Sequence, residues 1–521
     1  MRTHWLGTAL ALAACSGDTN DTDTTGTTGM TGTTGTTGTS TGSTTEPEVD
    51  DPDRETLVHS FGVRSMKPFA ESEPCAQWTL DNEREIYVNT VTMVNDGGFH
   101  HSNWLAVPET KFAGPDGFFD CAERNFTELD GAVSGTVLFA QSTQSRSEVQ
   151  QLPPGVVVKI PPRHKIIAGV HLLNLGSTDL DSELRMALDI VHPRTVEVVV
   201  APFRLSYVDL HIPAGQRSRH TSTCTFNTDY ESAVGSPLDI KLYHVLPHFH
   251  YLGDSFSVDV VGGPDDGRNL YTLDGFDADA NGRTFNPPVD LAGSTGLRFS
   301  CGYDNWRDKE IGWGIGDQEM CVMLGLADSR AIMDMSVQSG SMVVGQDGEV
   351  LLNEGPCSVV ALPKNAAQTL PTDAEKAGEL YVPPSNEGDV DLEPDKRCVD
   401  SDLTAAPSGT TLSHLRGAVF TPGCIFSSCH DAKTPTIGLD LQGPELHAAL
   451  LKHTTVADVD LPLVKPGDPE GSWLYQIVSR CEPKDRSGNV VRTMPYNAPT
   501  LLPNEHVAAL RAWIAAGAKD D

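Results

Sequence analysis

Positive charge is scarce in this sequence. Lys and Arg number 37 against 71 Asp and Glu, a formal charge of -34 over 521 residues. Nucleic acid is thereby excluded as a partner, because neutralising phosphates needs a basic face. Long apolar runs are missing as well. Trp5 to Leu12 is too short to span a bilayer, and no other stretch has transmembrane character. Helical periodicity is sparse before residue 360, where few windows repeat every 3.6 residues. The acidity fits a soluble, exported protein and carries no information about fold.

The first fifteen residues read as a targeting segment. Arg2 supplies a short basic start, and Leu12-Ala13-Ala14-Cys15 resembles the bacterial lipobox, in which the Cys is lipidated. An ordinary secretory signal peptide is the alternative. Residues 16–55 are dominated by Ser, Thr, Gly, Asp and Glu with repeated Thr-Thr-Gly, a composition that cannot bury apolar surface. They are expected to form a disordered tether. The expected location is the bacterial cell envelope, lipid-anchored, on the periplasmic or outer surface.

Residues 56–361 are rich in Val, Ile, Thr and aromatics. Short apolar runs such as Glu85–Asn95, Lys165–Leu175, Val196–Tyr207 and Ile240–His250 are broken by turn residues about every ten positions. This pattern predicts a mostly β protein, with sandwiches stacked in tandem. Two β domains are expected, over 56–205 and 206–361. Residues 362–409, rich in Pro, Ser, Asp and Glu, read as a linker. The remainder, 410–521, changes to helical patterns over Pro444–Lys452 and Pro503–Ala518. In the latter Val507, Leu510, Trp513 and Ile514 share one face.

Two sets of metal-binding residues stand out. Pro247-His248-Phe249-His250-Tyr251-Leu252-Gly253 is followed far downstream by Glu319-Met320-Cys321. His248 and His250 lie at i and i+2 on a predicted strand, so both imidazoles leave one face. A thioether suits Cu(I) and imidazole suits both copper states, whereas zinc prefers thiolate, His and carboxylate. Met320 would be the third ligand, leaving a position open for dioxygen. His244, four residues upstream, could compete. A half-buried strand with two hydrogen-bonded histidines is the plain structural alternative.

His100 and His101 form a second group, with His171 in an apolar strand. Adjacent strand residues point to opposite faces, so both can serve one metal only at a strand end or bulge. The preceding Asp96-Gly97-Gly98 makes a bulge plausible. A histidine in an apolar strand needs a partner, and a metal is one option.

Taken in order, the His-His pair, the strand His, H-x-H-x-x-Gly and Glu-Met-Cys make residues 70–360 resemble the copper type II, ascorbate-dependent monooxygenases, the group of peptidylglycine α-hydroxylating monooxygenase and dopamine β-monooxygenase. Leu152-Pro153-Pro154-Gly155, Ile212-Pro213-Ala214-Gly215 and Cys301-Gly302-Tyr303-Asp304-Asn305 add context. The resemblance implies two tandem jelly-roll-like domains with one copper ion each. His100, His101 and His171 match the electron-storing copper; His248, His250 and Met320 match the dioxygen-binding copper, where a C–H bond is hydroxylated. Residues that hold substrate in the animal enzymes have no counterparts here. The substrate, a small molecule or a peptide, is therefore not readable.

Cys424-x4-Cys429-His430 is a widened form of the C-x-x-C-H haem attachment motif. A Cys424–Cys429 disulfide beside an ordinary His is the alternative. Arg492-Thr493-Met494-Pro495 resembles the distal-Met loop of small cytochromes c, and Glu505 to Ala518 resembles their terminal helix. The resemblance implies a c-type haem with His430 proximal and Met494 distal. Together these readings predict a copper monooxygenase fed by dioxygen and an electron donor, ascorbate or a redox protein, with the fused haem as a built-in carrier. A non-catalytic copper-binding or electron-transfer envelope lipoprotein is the rival from another class.

Eight cysteines remain: Cys75, Cys121, Cys224, Cys301, Cys321, Cys357, Cys398 and Cys481. An even number in an exported protein reads as disulfides, although sequence alone does not fix the pairing. Cys301–Cys321 would brace the segment carrying Met320. Cys224–Cys357 is the next expectation, and Cys398–Cys481 would tie the linker to the last domain.

Overall fold

The computed structural model describes residues 52–521 apart from 69, 142–145, 175–177, 250–251, 275–281, 306, 308, 315–317, 395–397, 426–429, 431–438, 454–460, 492, 496–497 and 499. Cys15, His250 and Cys429 lie outside the described residues, and for His100 and His101 the backbone alone is described. The chain is mostly β, in two tandem sandwiches followed by a small group of helices.

The apolar runs become strands because β-branched and aromatic side chains pack well on a pleated surface. Ile86–Asn95 is buried at nine of ten positions, the mark of a strand covered on both faces. The first unit has eight principal strands in chain order: Arg54–Met66, Cys75–Thr79, Ile86–Asn95, Phe99–Pro108, Thr136–Gln141, Val156–Ile160, His164–Leu173 and Leu180–Val191. One sheet runs first-eighth-third-sixth and the other second-seventh-fourth-fifth. The second unit repeats this order with Ala201–Tyr207, Gln216–Thr225, Lys241–His248, Gly253–Val261, Asn269–Asp274, Arg283–Asp290, Gly296–Asn305 and Val322–Asp328. The hairpin Met342–Asp347 and Val350–Glu354 widens one of its sheets, and Ala331–Val337 with Ser358–Pro363 widens the other. The crossing between units falls at Val200, since Val199 still pairs with Val157 and Ala201 already pairs with Ala327.

Each sandwich closes on its own core. Leu57, Trp78, Trp104, Ile166 and Leu188 meet in the first, and Phe203, Tyr207, Phe226, Phe299 and Tyr303 in the second. Burying a large apolar side chain contributes about 1.5–3 kcal/mol, so these layers carry most of the stability. Tyr243 and Leu326 of the second unit join the core of the first, which couples the two.

The described residues include four disulfides: Cys75–Cys121, Cys224–Cys357, Cys301–Cys321 and Cys398–Cys481. The last three are the pairings anticipated from the sequence. No described helix is long and apolar enough to cross a membrane.

The stretch expected as a linker is bound for much of its length to the first unit. Glu375 accepts the Tyr87 hydroxyl at 2.7 Å, Tyr381 Oη accepts the Glu83 N–H at 2.9 Å, and Asn386 Oδ1 accepts the Val58 N–H at 2.9 Å. Beyond it, helices Leu446–Lys452, Trp473–Ser479 and Asn504–Ala515 close over a third core containing Phe420, Leu446, Trp473 and Trp513. Val507, Leu510, Trp513 and Ile514 are all buried, as their shared helical face predicted.

Candidate copper and haem sites

The first histidine set is assembled by strand register. Along the pair Phe99–Pro108 and His164–Leu173, Gly169 faces Asn103, Val170 faces Ser102 and His171 faces His101. The next partner of Leu172 is Phe99, so His100 is the extra residue of a β-bulge. Directly opposed residues in an antiparallel pair have Cα atoms about 4.5–5.5 Å apart. A bulge near a strand end re-aims a side chain, so that two consecutive residues can serve one point on a sheet face. Gly97 and Gly98, both with positive φ, turn the chain into this bulge. His171 itself is buried.

Beside this set lies a polar pair, with Asn103 buried and Glu128 half-buried. Asn103 Nδ2 donates to Glu128 Oε1 at 3.0 Å, and a Cβ added to Gly169 would stand 3.3 Å from the same oxygen. Burial pushes the Glu128 carboxyl up to about 8, against the opposing effect of the Asn103 hydrogen bond. Sequence reasoning missed Glu128, because nothing local links a helix-start Glu to Asn103 on a separate strand.

The second set is brought together at one end of a sheet in the second unit. His248 closes the strand Lys241–His248, is buried, and faces Val322 in register. Met320, also buried, precedes Val322 by two residues. Three fixings hold the Met320 segment. Cys321 is bonded to Cys301, Tyr303 Oη donates to the Met320 carbonyl at 2.6 Å, and Glu319 is fully enclosed. Glu319 Oε1 accepts the Leu252 N–H at 2.8 Å, which ties the turn after His250 to the residue before Met320. Burial raises the Tyr303 hydroxyl well above its ordinary range, so it stays protonated as a donor.

Gly253, the glycine of the H-x-H-x-x-Gly pattern, has a steric reason. A Cβ there would lie 1.8 Å from the Phe249 ring, which stacks on Phe256 with centroids 6.1 Å apart. Phe249 separates His248 from His250, so the glycine keeps the ring between the two candidate ligands in place.

His244 has a different job. Thr284 gives its single hydroxyl proton to the Gln151 carbonyl at 3.1 Å, so His244 Nδ1–H donates to Thr284 Oγ1 at 3.0 Å. This chain crosses from the second unit to the first. Burial lowers the His244 imidazole to about 4, and the ring stays neutral. Thr284 and Gln151 also line a cavity of about 550 Å³ between the units, together with Asn89, Pro153 and Asn286. None of the candidate ligands whose side chains are described lines it.

In the helical unit, His430 Nδ1–H donates to the Leu439 carbonyl at 3.1 Å, and the His430 backbone N–H donates to the Cys424 carbonyl at 2.9 Å. Donation from Nδ1 fixes the tautomer that leaves Nε2 with the lone pair, as an iron ligand requires. Cys424, Ile425 and Met494 pack against the same apolar cluster. The Met494 N–H and the Thr493 hydroxyl both donate to the Ile477 carbonyl, at 2.9 and 2.6 Å.

Among the described side chains, no three His, Cys, Asp or Glu converge on one point. The imidazoles of His100, His101 and His250 are not among them, so the fit rests on backbone register, burial and donor type. Imidazole with thioether suits copper, and a tautomer-fixed histidine over an apolar cluster suits haem.

No family model and no curated protein matches this sequence. Among solved structures, infectious bursal disease virus Gx strain superposes with a TM-score of 0.14 at 6% identity, covering 54% of this chain and 42% of that one. The VP2 subviral particle of the same virus gives 0.13 at 8% identity, covering 54% and 74%. Superpositions this loose relate neither fold nor function.

Proposed function

We propose that this chain is an exported copper-dependent monooxygenase that hydroxylates a substrate C–H bond, with its C-terminal unit acting as a c-type haem electron carrier. The observation that carries the reading is the register of the first set: His171 opposes His101, and the bulge falls on His100. A bulge is one of the two arrangements, with a strand end, in which consecutive histidines can serve one ion. The shared strand order of both sandwiches supports a tandem jelly-roll architecture.

Copper held by these two sets would supply dioxygen activation and one-electron transfer. The overall reaction inserts one oxygen atom into the C–H bond and reduces the other to water, consuming two electrons and two protons from the donor side. The protein's own groups have definable parts. His100, His101 and His171 would hold the electron-storing ion, and His248, His250 and Met320 the ion that meets dioxygen. Glu319, Tyr303 and the Cys301–Cys321 bond fix the Met320 backbone, so the segment that carries the thioether is presented without searching loop states. Phe249, Leu252 and Met320 are buried and keep bulk water from that strand end. In the helical unit, His430 and Met494 would hold the iron of a haem joined to Cys424 and Cys429. His/Met ligation raises the potential for accepting and passing single electrons.

The test is a copper and haem inventory joined to oxygen consumption. Two copper ions and one covalent haem per chain, with reductant-dependent oxygen uptake, are expected. Met320→Ile should abolish the uptake and leave the haem spectrum unchanged. A chain that takes up no copper on reconstitution overturns the oxygenase reading.

A further inference from the structure

The strap that leaves the second unit has two anchored ends, and both lie near candidate redox residues. Along the first unit, Ser385 Oγ donates to the Leu80 carbonyl at 2.7 Å, and the Glu387 carboxylate meets His59 Nδ1 at 2.8 Å and the Ser60 N–H at 2.9 Å. Farther on, Arg185 Nη1 donates to the Asp391 and Glu393 carbonyls at 2.9 and 3.4 Å. Its Nη2 pairs with the Asp96 carboxylate, and both residues are buried. Asp96 opens the Asp96-Gly97-Gly98 turn that delivers His100 and His101.

Cys398 lies five residues beyond Glu393 and is bonded to Cys481 of the helical unit. Cys481 follows the helix Trp473–Ser479, whose Ile477 carbonyl holds Thr493 and Met494. From Cys398 onward the chain belongs to the helical unit: Ser401 N donates to the Ser479 carbonyl at 3.0 Å, and Asp402 N to Asn504 Oδ1 at 2.8 Å. Five residues span at most about 18 Å when fully extended. The Cys481 side of the helical unit is therefore leashed to Glu393 by that span plus the 5.7 Å Cα–Cα step of the disulfide, and Glu393 is held by Arg185, the partner of Asp96 at the turn leading to His100. Among the described residues, nothing comparable ties it to the end of the second unit that carries His248 and Met320.

We propose that the strap is a docking device that seats the helical unit on the first β unit beside the Asp96–His101 turn, with the Cys481–Met494 side facing it. The placement stands on the anchors alone. Its consequence rests on the functional reading: electrons from the helical unit reach the His100, His101 and His171 set before the His248, His250 and Met320 set.

Zero-length carbodiimide cross-linking of the full chain, read by peptide mass spectrometry, tests the placement. Lys484 is exposed three residues past Cys481, and Asp179 and Asp181 are exposed just before and at the start of the strand that carries Arg185. Lys484 should join Asp179 or Asp181 in the unmodified protein. The yield should fall tenfold or more in Cys398→Ser/Cys481→Ser, and also in Arg185→Lys, where an ammonium cannot span Asp96 and two carbonyls. Lys484 joined chiefly to the second unit, no Lys484 link to the first unit, or yields unchanged in both variants would each overturn the proposal. The measurement needs neither copper nor haem. A chain that binds neither overturns the functional reading, and the cross-links still decide the placement.

Discussion

Glu319 and Leu252 are joined by a 2.8 Å hydrogen bond from the Leu252 N–H to the Glu319 carboxylate, across 67 residues of sequence. One side chain thereby sets the distance between the turn after His250 and the backbone of Met320. Replacing Glu319 by Ala leaves a buried N–H without its acceptor, which costs about 1–3 kcal/mol. It also frees two candidate ligand segments from each other. Outer residues of this kind typically change metal affinity by about 10–100-fold. Copper titration of Glu319→Ala should show weakened binding at one of two ions, with the other unchanged.

Gly253→Ala tests the same strand end by crowding. The added methyl must displace the Phe249 ring, and overpacking of this kind costs about 1–3 kcal/mol. Because Phe249 lies between His248 and His250, the expected result is a changed Cu(II) electron paramagnetic resonance signal for one ion and a lowered Tm. A shifted Tm with an unchanged signal at both ions would separate Phe249 from the ligand geometry.

The strands were legible because alternation and β-branching are local properties. The bulge at His100 was legible for a similar reason: two neighbouring histidines cannot share a face on a regular strand, and Asp96-Gly97-Gly98 stands just before them. The strand order was not, since it depends on pairings between distant segments. The strap read as a linker because it is held by polar groups rather than by buried apolar runs. Asn386 finds Val58 across 328 residues, and no local pattern announces that. His244 stayed ambiguous in the sequence for the same reason, its Thr284 partner arriving from another strand.

The Cys301–Cys321 bond closes a separation of 20 residues immediately before Val322. Removing it as Cys301→Ser/Cys321→Ser relaxes the unfolded-chain constraint, a loss of about 3 kcal/mol in the chain-entropy account. Met320 would then be held by Tyr303 and Glu319 alone. A lower denaturation midpoint and weaker binding of one copper ion are expected together. Loss of stability with both copper affinities intact would show that the bond braces the sandwich and not the ligand.

Glu128 yields a prediction in pH rather than in metal. Its carboxyl is raised from 4.5 to about 8 by burial, so the folded state holds a proton that the unfolded chain releases in between. Asn103 Oδ1 has no hydrogen-bond partner among the described residues, and a protonated carboxyl beside it can donate where a carboxylate cannot. The sign follows from proton binding. Between pH 4.5 and 8 the native state carries more protons than the unfolded one, so this group makes stability fall as pH rises, by at most about 1.4 kcal/mol per pH unit. Glu128→Gln keeps the acceptor for Asn103 and abolishes the titration. The variant should match the parent near pH 4.5 and exceed it increasingly towards pH 8 in urea denaturation. Parallel pH profiles for the two proteins would mean that Glu128 is ionised in the folded state, and that its burial is compensated by groups other than Asn103.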